Sequence, residues 1–157
     1  MSAAVVVDEF TDAALGLSRA LVGIALRTLA AESSDLTLVQ FRALATLSDH
    51  GSQRVADLAH LLGVNSSTAT RMSSRLRRKG LLTRTADDDD RRATRLTITP
   101  AGEAVVRAVT KRRQAEISRI ADRIPAERRA AMVEAMHLFI VAAGNGPEQD
   151  WTPGWSR

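Results

Sequence analysis

The chain of 157 residues has no cysteine and no tyrosine, and only three phenylalanines, two tryptophans and four prolines. Without cysteine there is no disulfide, no thiolate nucleophile, no thiol redox sensor and no thiolate metal site. The three histidines, His50, His60 and His137, are scattered, and no HExxH pattern occurs, so no metal is expected. GxSxG, P-loop and dinucleotide fingerprints are missing as well, which leaves no catalytic residue to nominate and no cofactor to expect. The opening MSAAVVVDEFTDA lacks the basic start and long apolar run of a secretory leader. No uninterrupted apolar stretch approaches the roughly 18 to 20 residues of a membrane span. The expectation is a cytoplasmic protein without a membrane partner.

What is present is charge in one place. Hydrophobic residues at 45% and charged residues at 25% are ordinary for a folded domain, and the net charge is only +4. Residues 65–95, however, hold nine of the 22 basic residues and four of the 18 acids, leaving 13 and 14 for the rest of the chain. The whole positive excess therefore belongs to one short region, the footprint of a polyanion site on a neutral body.

Apolar spacing predicts a first helix over 10–31 (Phe10, Ala14, Leu17, Leu21, Ile24, Leu29) and a second, capped by Asp35 or Thr37, that carries Leu38, Phe41, Leu44 and Leu47. A third runs from about Arg54 to Leu62 and ends at Gly63. Asn65, Ser66 and Ser67 offer caps for a fourth helix to Lys79, with Ala69, Met72, Ser73 and Leu76 as its buried stripe. Its other faces are polar and basic, and with the third helix it makes a helix-turn-helix. Two short runs, Leu81 to Thr85 and Arg92 to Thr99, read as a hairpin around a turn at 86–91. Pro100 starts a fifth helix and Pro125 a sixth, and a tail containing both tryptophans follows. The fold class is mainly α with a small β-hairpin.

In this order of elements, LGVNSSTATRMSSRLRRKGLLTR and DDDDRRATRLTITPAG together resemble the MarR family of bacterial winged helix-turn-helix transcriptional regulators. The resemblance extends over 10–143. It implies a DNA-binding region at 36–99, dimerisation helices at 10–31 and 100–143, and a separate tail at 144–157. It also implies homodimeric, sequence-specific binding of double-stranded DNA at palindromic operators, most often for repression. A small aromatic or apolar ligand relieves that repression in such regulators. The oxidant-sensing branch of the family uses a cysteine that this chain lacks. By the same resemblance the helix Ser66 to Lys79 enters the major groove, Arg91 and Arg92 lie at the wing, and Asp90 steadies them.

A major groove admits one helix, and arginine's fork fits guanine O6 and N7. Ser66, Ser67, Thr68, Thr70, Arg71, Ser74 and Arg75 are the candidate groove residues, with Arg71 first among them. Arg54, Arg77, Arg78 and Lys79 are candidate phosphate contacts, although basic residues near a helix C-terminus are favoured in any case. The acids Asp87 to Asp90 fall in the hairpin turn, where aspartate bonds its own backbone and repels non-specific phosphate. Leu17, Leu21, Ile24, Val105, Val109, Met136, Phe139 and Ile140 are candidate dimer contacts; an intramolecular bundle would use the same stripes. Phe41 is a candidate ligand contact or simply core. The alternatives to a ligand-relieved regulator are a constitutive DNA-binding regulator and a winged-helix module for protein contact.

Overall fold

The computed structural model describes residues 3–33, 35–86 and 94–144. Among the described residues six helices run in chain order: α1 (Ala3–Glu32), α2 (Leu38–His50), α3 (Val55–Leu62), α4 (Ser66–Arg78), α5 (Pro100–Ala121) and α6 (Ala126–Ala142). Three short strands, β1 (Gln53–Arg54), β2 (Leu82–Ala86) and β3 (Thr94–Ile98), form an antiparallel sheet in the order β1-β3-β2. Two features exceed the sequence reading. α1 begins at Ala3, because no proline or turn residue stops it before Phe10. Residues 53–54 form a strand, so α3 starts at Val55 and Arg54 is its N-cap.

Local signals set the other boundaries. Thr37, not Asp35, caps α2 in a reciprocal box: the Gln40 amide donates to Thr37 Oγ1 at 3.3 Å, and the Thr37 amide donates to Gln40 Oε1 at 3.0 Å. Asn65 accepts from the Thr68 amide at the start of α4, and Thr99 accepts from the Gly102 amide at the start of α5. Gly63 ends α3 at φ 66°, a left-handed conformation open to glycine at little cost. Gly102 answers a different need. A Cβ there would lie 2.3 Å from the Leu81 carbonyl oxygen and 2.6 Å from Ile98 Cγ1, so only glycine lets α5 pass this close to the sheet.

One hydrophobic core joins α2, α3, α4 and the sheet through Phe41, Leu44, Leu47, Leu58, Leu62, Met72, Leu76, Leu82 and Leu96. It also takes in Leu29 from the end of α1 and Val106 and Val109 from the first half of α5. The core of the winged helix thus crosses both sequence-drawn boundaries of the 36–99 region. The far ends of the long helices differ: α6 has no buried residue.

By length and composition, Val6–Glu32 of α1 is apolar enough to cross a membrane. A search for uninterrupted runs misses this because Asp8, Asp12, Arg19 and Arg27 interrupt the stretch. In the fold, the second half of α1 packs on α2 and α5. It is held there by ion pairs from Arg27 to Glu116 and from Arg112 to Glu32.

Candidate nucleic-acid interface

α4 is positioned by its small apolar stripe. Ala69, Met72, Ser73 and Leu76 are buried, as their i, i+3, i+4, i+7 spacing predicts. Ala69 and Ser73 are fully buried, and their small size lets α4 lie close against α3. Ser73 Oγ removes its own polarity by donating to the Ala69 carbonyl at 2.7 Å. With this face covered, the helix presents Ser66, Ser67, Thr70, Arg71, Arg75, Arg77 and Arg78 to solvent, and Thr68 and Ser74 are half-exposed.

The four arginines of α4 form no ion pair with any described carboxylate, and α4 contains no acid. Among the described residues this leaves a concentrated positive surface facing solvent, the condition under which binding a polyanion releases counterions. Arg71 leans towards the start of the helix, where its Nη2 lies 3.5 Å from Thr68 Oγ1. The hydroxyls are already oriented. Thr70 Oγ1 donates to the Ser66 carbonyl at 2.8 Å, Ser74 Oγ to the Thr70 carbonyl at 2.9 Å, and Ser67 Oγ to Asn65 Oδ1 at 2.8 Å. In this arrangement the hydroxyl protons are given to the helix's own acceptors, which leaves the oxygen lone pairs available to accept.

Beside α4 lies a groove of about 390 Å³ lined by Thr37, Val39, Gln40, Thr68, Arg71, Met72 and Arg75. It brings the start of α2 next to the recognition helix. Sequence reasoning missed Thr37 and Val39 as neighbours of this surface, since a contact between segments thirty residues apart leaves no local pattern. Among the candidate phosphate contacts, Arg77 and Arg78 are exposed on α4. Arg54 instead lies half-buried on β1, opposite Arg95 of β3. Lys79 donates from Nζ to the Asp35 carbonyl at 2.9 Å, towards the α1–α2 corner. Asp90, Arg91 and Arg92, with Asp87 to Asp89, lie outside the described residues.

The candidate dimer residues divide into two groups. Leu17 and Leu21 on α1 and Met136, Phe139 and Ile140 on α6 are exposed. Ile24 and Val109 are buried within this chain, and Val105 packs against the core from a half-buried position, so their apolar surface is already used internally. Phe41 likewise belongs to the core at 2% exposure, the second of the two roles the sequence left open for it. The Arg113 guanidinium sits 5.6 Å from its ring centre, and burial lowers the Arg113 pKa from its ordinary value. Thr110 Oγ1, on the same helix, is buried with no hydrogen-bond partner among the described residues. A second cavity, about 260 Å³, opens between α1 and α5 and is lined by Arg27, Thr28, Ala31, Arg112, Ala115, Glu116 and Arg119.

Comparison with known proteins agrees with this geometry. The model of the MarR family matches residues 36–94. The HTH-type transcriptional repressor MdtR of Bacillus subtilis (strain 168) is 33% identical over 107 residues, which cover 68% of this chain and 67% of that protein. The crystal structure of RV1404 from Mycobacterium tuberculosis superposes with a TM-score of 0.81 at 38% identity, covering 91% of this chain and 97% of that one. The transcriptional regulator Tm0710 from Thermotoga maritima does so with a TM-score of 0.71 at 30% identity, covering 90% and 99%. A winged helix with a basic recognition helix, flanked by long helices and matched by these relatives, identifies the chain as a member of the MarR family of DNA-binding transcriptional regulators.

Proposed function

We propose that the protein is a homodimeric repressor that binds a palindromic operator and releases it when a small ligand binds. The observation that carries this reading is the pairing of two unsatisfied surfaces. Among the described residues, α4 offers arginines without acidic partners, and α1 with α6 offers apolar side chains left largely uncovered. A two-fold dimer answers both needs, because it buries the apolar helices and places two α4 helices about one DNA turn, roughly 34 Å, apart. The 36–99 region is then the reading head, and the segments 10–31 and 100–143 are the dimer arms. Repression follows the described role of MdtR, and a repressor of this kind works in the cytoplasm, where the chromosome is.

In this reading Arg71 contacts a base edge, Arg75, Arg77 and Arg78 hold phosphates, and Arg92, supported by Asp90, enters the minor groove beside the half-site. The effector site is the junction of α1, α2 and α5. The cavity between α1 and α5 at this junction is lined by Arg119 and by Arg27 and Arg112, whose charges Glu116 and Glu32 already answer, so an aromatic or apolar acid binds by exchanging with one of these carboxylates. Such a ligand releases DNA only by binding one conformation more tightly than the other. Genomic fragments captured by the purified protein should share an inverted repeat, and binding should fall steeply with salt. Recovery of fragments without a common repeat, bound equally at low and high salt, would refute the proposal.

A further inference from the structure

The last residue of the recognition-helix motif behaves unlike the other cations beside it. Lys79 is the C-cap of α4, and its side chain is one-third exposed. Its ammonium donates to the Asp35 main-chain carbonyl at 2.9 Å and lies 3.8 Å from the Asp35 carboxylate. That carboxylate is mostly in water, so its ion pair is screened and the carbonyl bond carries the contact. The acceptor is held in place. The Ser33 amide donates to the Leu29 carbonyl, the Leu36 amide to the Ser33 carbonyl, and the buried Leu36 side chain anchors the corner in the core. Thr37 then caps α2 immediately afterwards. A second clasp, Arg112 to Glu32, ties the same end of α1 to α5.

We propose that Lys79 is a positioning residue that clamps the far end of α4 to the α1–α2 corner, and that it is not a phosphate contact. α4 is fixed at its start by Asn65 and along its length by packing on α3. The lysine fixes its other end to the helix that carries the dimer arm. A shift of α1 against its partner therefore reaches the recognition helix through this bond, and the bond sets how well the two α4 helices match a half-site spacing. Lys79 thus contributes to discrimination between operator and random DNA rather than to general DNA affinity. This rests on the operator-binding reading above.

The test compares wild type, Lys79→Met and Lys79→Arg as full-length proteins. Each is titrated with the selected operator and with a random duplex across a salt series, and amide exchange is followed in the DNA-free protein. Lys79→Met should weaken operator binding roughly five- to tenfold, below the full scale of a hydrogen bond to a charged donor because the side chain is one-third exposed. Random-duplex affinity and both salt slopes should stay unchanged. The Leu36 amide and the amides of Gly80 and Leu81 should exchange faster, and Lys79→Arg should restore operator binding. Equal weakening on both duplexes, with the salt slope flatter by about 0.9, is the signature of a lost phosphate contact and overturns the proposal. Unchanged exchange in Lys79→Met overturns it as well. If wild type shows no preference for the operator, the regulator reading fails, while the exchange data still decide whether the clamp exists.

Discussion

α4 and α6 both expose most of their surface, but they expose different things. α4 has its apolar stripe covered and shows water four arginines and a set of hydroxyls. α6 buries none of its own residues, and Met132, Val133, Met136, Leu138, Phe139, Ile140 and Val141 all meet solvent. An exposed guanidinium is well hydrated and needs no further packing. Exposed apolar area costs about 25 cal/mol per Å² relative to burial. α4 is therefore a finished element that can serve a charged ligand, whereas α6 is unfinished until another apolar surface meets it. Phe10 of α1 reaches Phe139 of α6, with ring centres 5.9 Å apart, yet both stay about half-exposed. The chain's own helices supply only part of the cover.

The sharpest way to break this comparison is to charge the α6 surface. Met136→Asp combined with Phe139→Asp places carboxylates where the dimer reading buries apolar side chains, twice per dimer. Each lost burial is worth roughly 1.5 to 3 kcal/mol, so the dimer dissociation constant should rise by about three decades or more. Sedimentation at micromolar concentration should show a monomer with near-native helical content, since the core lies elsewhere. A variant that remains dimeric would mean that α6 is covered in some other way.

The second test treats Phe41 as core, not as pocket. Phe41→Ala should destabilise the fold by about 3 to 5 kcal/mol, the range for large aromatic truncations, and should leave Arg113 without its ring. Thermal unfolding measures the loss. A stable variant with altered ligand response would restore Phe41 as an effector contact.

The winged-helix half was largely legible in the sequence because its signals are local. The stripe of α4, the capping pattern from Thr37 to Gln40 and the glycine that ends α3 each lie within a few residues. What was not legible depends on contacts distant along the chain. Leu17, Leu21 and Ile24 share one helical pattern, but only Ile24 reaches the protein's own core. Periodicity identifies an apolar face without saying which molecule covers it. β1 was invisible because two residues carry no alternation, and it exists only through pairing with Arg95 and Leu96. Lys79 read as a candidate phosphate contact like Arg77 and Arg78, because its contact with Asp35 spans 44 residues of chain.

A smaller effect distinguishes cations within α4. Arg71→Ala should cost about 1 to 3 kcal/mol on the operator and relax preference at one base position. Arg78→Ala, further along the helix, should weaken all duplexes alike and lower the salt slope by about one unit. Measured binding to a panel of single-base operator variants separates the two. Identical profiles would show that α4 holds phosphates along its whole length and reads no base.

The smallest expected effect tests the hydroxyl orientation on α4. Thr70 gives its proton to the Ser66 carbonyl, so it can meet DNA only with its oxygen lone pairs or its methyl group. Thr70→Val keeps the shape and the methyl while removing the acceptor. If Thr70 accepts from an adenine or cytosine amino group, the valine variant loses about 1 kcal/mol, the usual net value of one neutral hydrogen bond. The loss should vanish when that base pair is inverted, which moves the amino donor away from the position Thr70 faces. If the methyl instead packs on a thymine methyl, valine binds as well as threonine and Thr70→Ser is the variant that weakens. Free-state stability should change little in either case, because residue 70 is exposed and its back-bond to Ser66 adds nothing to the core. The acceptor orientation predicts the first pattern, and equal loss for valine and serine on every operator would show that Thr70 acts through the helix rather than through the groove.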